Sequence, residues 1–222
     1  MVSVDFSDYK IEKKATLNYK VYEILKEMIV KDDLKGNTKL NEVHIAKELG
    51  VSATPVREAF RLLGSEGLVE IIPYKGVYVK HYTLDDIKEV YECREALEAM
   101  AIQLAIDNIE EDKVLEIKNL LDENKNNSDP SRVVLVNNSL HDFIVDKSNN
   151  KRIKALLQSL NDVLLHDRNI SAYDEDRRLE IYKEHMEIVE ALRLKDELRA
   201  ILAMKNHVRN GYKYIENRLK ER

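Results

Sequence analysis

The chain has 222 residues, 36 Lys plus Arg against 41 Asp plus Glu, and a net charge of −5. Its 44% hydrophobic content suffices for a packed interior and argues against disorder. A single cysteine, Cys93, excludes a disulfide framework and suits a reducing cytoplasm, and no apolar run approaches the roughly 18 residues of a membrane span.

Few breakers (six Gly, three Pro) among many Leu, Ile, Glu and Lys predict a helix-rich chain. Residues 1–14 carry Asp5, Asp8 and Glu12 and no apolar core, so no signal peptide is expected. A first helix is expected from about Asn18 to Lys31, with Val21, Ile24, Leu25 and Met28 on one apolar face. A second runs from about Asn41 to Leu49, with Val43, Ile45, Ala46 and Leu49 inward and Gly50 as its C′ residue. Ser52 or Thr54 can cap a third helix, and Pro55 suits its first turn. That helix continues through Phe60, Leu62 and Leu63. Two strands follow, 68–72 and 77–79, joined by a hairpin at Pro73–Gly76.

Through Lys80 there are 13 Lys/Arg against 12 Asp/Glu; beyond it, 23 against 29. Five of the six Gly lie before residue 81. Both shifts place a boundary near residues 80–83, giving a unit at 1–82 and a second at 83–222. Thr83-Leu84-Asp85-Asp86 is a helix start, with acids in the first turn. Six helices are expected beyond it, at about 83–108, 111–126, 131–147, 151–168, 177–194 and 197–219. They would form a bundle with its own core.

Helix, short turn, helix and hairpin is the order of a winged helix-turn-helix. In that arrangement the start of the third helix meets base edges, and its free N–H groups can hold a phosphate. Here that start is Ser52-Ala53-Thr54-Pro55-Val56-Arg57. Ser52 and Thr54 hydroxyls can bond phosphate or bases, Arg57 can fork onto a guanine, and Arg61 lies one turn further on the same face. Lys75 at the hairpin tip can reach the minor groove or a phosphate. The alternative is that Ser52 and Thr54 are only caps and the arginines a solvated face.

The run from Leu40-Asn41-Glu42 through Thr54-Pro55-Val56-Arg57-Glu58-Ala59, Glu66-Gly67-Leu68-Val69 and Gly76-Val77-Tyr78-Val79 resembles the DNA-binding domain of the GntR family of bacterial regulators. The resemblance implies a homodimer on a short inverted repeat of double-stranded DNA. By position it carries DNA contacts to His44, Ser52, Arg57, Lys75 and Gly76. Two positions depart: His44 and Ala53 stand where the family usually has Arg. Losing two guanidiniums weakens phosphate and guanine contacts at a given salt.

His141, His185 and His207 fall on three of the expected helices, and Asn137 is one turn before His141. Three converging imidazoles make a transition-metal site with an open position; scattered helical histidines are the alternative. The second half of the chain, from Thr83 on, is similar to the effector domain of the FadR-type branch, the FCD domain. That resemblance implies an all-α bundle holding a divalent metal (zinc, nickel or manganese) with an Asp and three His. The matching positions are Asn137, in the Asp place, with His141, His185 and His207. An amide brings no negative charge, so the neutral donor set leaves about +2 on a divalent ion and favours an anionic ligand. A small organic acid would fit as effector.

Arg94 matches an Arg of the family's first effector-domain helix and can clamp a carboxylate; an i,i+4 pair with Glu98 is the alternative. Cys93 is expected to be a buried small residue, and His166 exposed or pocket-lining. The fold class is thus mainly α, a winged helix-turn-helix followed by an antiparallel bundle. The expected function is a ligand-responsive DNA-binding regulator, a repressor and not an enzyme. The alternatives are a metalloenzyme using the His cluster, against which the absence of HExxH counts, and a helical interaction module with weakened DNA binding.

Overall fold

The computed structural model describes residues 16–221; the reading of residues 1–14 lies outside them. The chain divides into two compact units, the first ending at Val79 and the second beginning at Lys80.

The first unit comprises α1 (Leu17–Val30), β1 (Lys39–Leu40), α2 (Glu42–Glu48), α3 (Ala53–Ser65), β2 (Val69–Ile72) and β3 (Gly76–Val79). The strands form an antiparallel sheet in the order β1-β3-β2. Ile72 faces Gly76 across the hairpin, so Pro73, Tyr74 and Lys75 make the turn. Tyr74 there has φ 63° and Gly76 φ 116°. The two-residue β1 escapes sequence reading, because a strand so short has no alternation to detect.

The core of this unit joins Val21, Tyr22, Leu25 and Ile29 of α1 to Val56, Ala59, Phe60 and Leu63 of α3. Each large side chain so buried contributes about 1.5–3 kcal/mol. The buried face of α1 is rotated from the expected one: Ile24 is exposed, while Tyr22 and Lys26 are buried. Lys26 can go inside because its Nζ meets Glu66 Oε2 at 2.9 Å and donates to Tyr22 Oη at 3.0 Å. Val43, expected inward, is exposed. Periodicity in short helices left room for a rotation that only the facing helix α3 decides.

Gly50 ends α2 as expected, at φ 65°. Val51 N–H donates to Ala46 C=O at 2.9 Å and Gly50 N–H to Lys47 C=O at 3.2 Å, a Schellman pair that fixes the turn into α3.

The second unit holds α4 (Leu84–Ala105), a short 3₁₀ turn, α5 (Glu111–Asn124), α6 (Pro130–Lys147), α7 (Lys151–Ser159), α8 (Asn161–Ala172), α9 (Glu175–Arg193) and α10 (Glu197–Lys220). Thr83 and Asp86 form a reciprocal capping box at the start of α4. The helix expected at 151–168 is two helices. Leu160 lies between them with φ −88° and ψ −4°, its N–H donating to Leu157 C=O at 3.2 Å. No Gly or Pro marks this break, so the sequence gives no warning of it. Arg209 clamps Glu95 through two nitrogens, at 2.7 and 2.8 Å, and Gly211 lies against Tyr91, so α10 runs antiparallel to α4. Ile102, Leu140, Ile144, Ile188, Leu192 and Met204 centre the bundle core. No helix among the described residues is long and apolar enough to cross a membrane.

Candidate DNA interface and buried histidine site

In the first unit, the expected DNA-facing residues gather at the start of α3 and on the β2–β3 turn. Ser52 occupies the N-cap position but makes no side-chain cap bond. Ser52, Thr54, Arg57, Arg61 and Lys75 are exposed. The helix therefore begins with free N–H groups beside two unengaged hydroxyls. Arg57 Nε donates to Glu42 Oε2 at 2.8 Å, and Arg61 to Glu58 at 2.8 Å. Glu42 thus holds Arg57 across the α2–α3 turn, and its bond raises the Arg57 pKa. Pro55 is half-buried in the first turn of α3. His44 is exposed on α2, its backbone N–H donating to the Asn41 cap at 3.1 Å. Gly76 is held where a Cβ would meet Lys39 Cε at 3.1 Å.

In the second unit, α6, α9 and α10 bring His141, His185 and His207 together. One nitrogen of each lies within 4.8 Å of the other two, and all three are buried. The rings of His185 and His207 are 4.6 Å apart, and those of His141 and His207 5.2 Å. Asn137, one turn before His141, lines the same 40 Å³ cavity with the three histidines and Arg94.

Carboxylates orient two of the rings. His141 Nδ1–H donates to Glu98 Oε2, and His207 Nδ1–H donates to Glu184 Oε2 at 2.7 Å. Both rings are thereby set as tautomers with a lone pair on Nε2, the arrangement in which carboxylate–imidazole pairs present nitrogen to a metal. His185 differs: both its nitrogens are buried without a hydrogen-bond partner. An orphaned imidazole beside two oriented ones fits a divalent ion, since a bound ion would satisfy the nitrogen now left bare.

Burial sets the charges. It pushes His141 down to about 3, His185 well below its ordinary value, and His207 down against the pull of Glu184. All three are therefore neutral near pH 7, as ligation requires. Burial would raise Glu98, but Arg94 and His141 hold it well below the ordinary carboxylate range. Arg94 Nε donates to Glu98 Oε1 at 2.5 Å, which is the i,i+4 pair. Arg94 Nη2 also lies 3.2 Å from His141 Nε2, so it occupies the lone pair an ion would use there. Arg177 similarly forks onto Glu184, at 3.0 and 3.2 Å.

Sequence reasoning weighed Glu98 only as a partner for Arg94, and missed Glu184 and Arg177. The one available signal for the latter two was their i,i+7 spacing on α9. Two expectations are corrected. Cys93 is exposed, because the inner face of α4 turns Arg94 inward beside it. His166, expected exposed or pocket-lining, is buried and lines neither the triad cavity nor the larger one beside it; its Nδ1 is 3.1 Å from Asp167, and its ring stands edge-on to Tyr82 at 5.2 Å.

Comparison with known proteins places both units. Residues 17–79 match the bacterial regulatory proteins of the gntR family, and residues 89–210 match the FCD domain. The chain belongs to the GntR family. It is 33% identical over 222 residues to the HTH-type transcriptional regulator YdhC of Bacillus subtilis, covering 96% of this chain and 99% of that one. It is 27% identical over 151 residues to the HTH-type transcriptional regulator McbR of Escherichia coli, covering 67% and 68%. A solved structure of Escherichia coli McbR/YncC shares the fold with TM-score 0.62 at 21% identity, over 93% of this chain and 100% of that one. A GntR regulator from Rhodococcus shares it with TM-score 0.61 at 24% identity, over 90% and 97%. The mainly helical architecture, winged helix first and bundle second, is that of GntR regulators with an FCD domain. GntR-family regulators bind DNA operators, and FCD domains are known for metal binding, which the His triad suits.

Proposed function

We propose that this transcriptional regulator is a homodimeric repressor whose bundle binds a divalent metal and a small organic acid, and that the acid lowers operator affinity. The DNA face assigned to it is His44, Ser52, Thr54, Pro55, Arg57, Arg61, Lys75 and Gly76. The metal residues assigned are Asn137, His141, His185 and His207. The observation that carries the reading is His185, buried with both nitrogens bare between two carboxylate-oriented histidines.

In the DNA-binding unit, Arg57 serves base recognition, and Ser52, Thr54 and the bare N–H groups of α3 serve a phosphate. In the bundle, a bound ion supplies a positive centre with open positions for an anion. Asn137 adds no charge to it, so the anion meets less competition than it would beside an Asp. The chain's own groups do the rest: Glu98 and Glu184 hold two imidazoles in tautomer, and Arg94 stands ready beside them. Both carboxylates near the triad are engaged by arginine and histidine, which leaves neither as a base for hydrolysis and favours sensing over catalysis. A dimer on an inverted repeat must match the spacing fixed by the DNA, so any effector-driven change in that spacing weakens binding.

The test begins with elemental analysis of the purified protein beside an Asn137→Asp variant, without chelator. Near-stoichiometric zinc, nickel or manganese in the natural protein supports the site; metal in neither protein overturns it. An operator selected from random DNA then allows titration with organic acids. Failure to select any sequence, with the protein folded and metal-loaded, overturns the repressor reading.

A further inference from the structure

A second cavity, of about 390 Å³, adjoins the triad at His141 and is walled by α6, α7 and α8. Its volume suits a ligand of several heavy atoms, whereas the 40 Å³ space over the triad does not. Most of its ionisable groups are already committed. Glu98 serves Arg94 and His141, and Lys154 is paired with Asp146 at 2.6 Å. Two are not. Among the described residues, Arg168 on α8 and Asp142 on α6 make no hydrogen bond or ion pair. They feel one another electrostatically but lie beyond ion-pair distance. Arg168 also lines the small cavity with the three histidines, and Asp142 lines only the large one.

Arg168 is half-buried, and Asp142 stands on the exposed part of the cavity wall; two opposite charges held apart in one cavity are a template for a ligand of matching charges. A plain carboxylate would satisfy Arg168 but be repelled by Asp142, which would stay unpaired. A zwitterion satisfies both, and its zero net charge matches the zero sum of the two side chains. Val145, Leu157 and Leu164 supply apolar wall, with Gln158 and Asn161 beside them, so a side chain of mixed character can be housed.

We propose that the organic acid sensed by this protein is a free amino acid, its carboxylate on Arg168 beside the triad and its ammonium on Asp142. This rests on the effector reading above and narrows it to one ligand class. It also gives Asp142 a role that neither the histidine cluster nor Arg94 requires.

The test is calorimetric titration of the full-length protein with the twenty standard L-amino acids and with des-amino counterparts, including glutarate for glutamate, 4-methylpentanoate for leucine and propionate for alanine. At least one amino acid should bind tenfold or more tightly than its counterpart, a difference of about 1.4 kcal/mol. Asp142→Asn should reduce that ratio to about threefold or less while leaving the des-amino acid's affinity unchanged or improved. Arg168→Gln should lose both ligands. Asp142→Ser provides the same test if the Asn variant fails to fold, as judged by its melting curve. The proposal is overturned if no amino acid binds at about 10 mM, far above a micromolar Kd, if every des-amino acid binds as tightly as its amino acid, or if Asp142→Asn keeps the preference. Metal content and operator binding are measured on the same preparation. Intact metal and DNA binding with a response to des-amino acids alone overturns the amino-acid assignment and leaves the regulator reading standing. Amino-acid binding without metal or DNA binding does the reverse.

Discussion

His185→Leu separates a metal site from a structural histidine by reversing the sign of a stability change. His185 is 1% exposed, and both its ring nitrogens lack partners. A buried polar group left unsatisfied costs about 1–3 kcal/mol. Leucine has a comparable volume and no polar atom, so in the metal-free protein the substitution should stabilise by about 1–3 kcal/mol. Metal acts in the opposite direction. An ion that binds only the folded state at a thousand times its Kd stabilises the parent by about 4.1 kcal/mol, and the variant, short of one ligand, loses most of that. Urea unfolding of both proteins, with chelator and with excess zinc, reads both terms. The variant should be the more stable with chelator and the less stable with zinc. A variant weaker than the parent in chelator, or a parent indifferent to metal, refutes the reasoning.

Three further outcomes are expected. Arg57→Ala should weaken operator binding by about 1–3 kcal/mol, roughly 5- to 150-fold, in a fluorescence-anisotropy titration. Its ion pair with Glu42 is exposed on the Arg57 side, so the melting temperature should barely move. Gly76→Ala should destabilise by about 1–3 kcal/mol, because φ 116° strains any L side chain and the new Cβ would crowd Lys39; an unchanged urea midpoint would contradict this. For pH, His141 titrates near 3 when folded against 6.5 when unfolded, so below pH 6.5 the unfolded chain takes up a proton that the folded one refuses. The stability is fully present above about 6.5 and falls by about 1.4 kcal/mol per pH unit below it, until the folded value is reached. Equal stability at about pH 7.5 and 5.5 in chelator would show that His141 is not buried neutral.

What the sequence made legible follows from how local each signal is. The Gly50 stop and the Thr83 start are short-range chemistry, and each stands where expected. The meeting of three histidines depended on the family resemblance, since spacing alone fits scattered residues equally well. Tertiary partners decided the rest. Lys26 is inside because Glu66, forty positions away, receives it. Glu184 matters because His207, on the next helix, turns toward it. Leu160 breaks a helix without any breaker residue. Nothing local in the sequence singles out Arg168 and Asp142, which α8 and α6 bring to the wall of one cavity.

The uncapped start of α3 has a kinetic signature. An N-cap side chain contributes about 0.5–2 kcal/mol to holding a helix's first turn closed, and Ser52 leaves that bond unmade. In the free protein, the amides of Ala53 and Thr54 should exchange with solvent deuterium faster than those at the capped start of α4. On operator binding, a phosphate would take the place of the missing cap, and these amides should slow more than any others in the first unit. The recognition helix would thus keep its opening turn loose until DNA arrives, so that part of the ordering cost falls on binding, where it tempers affinity for non-specific sites.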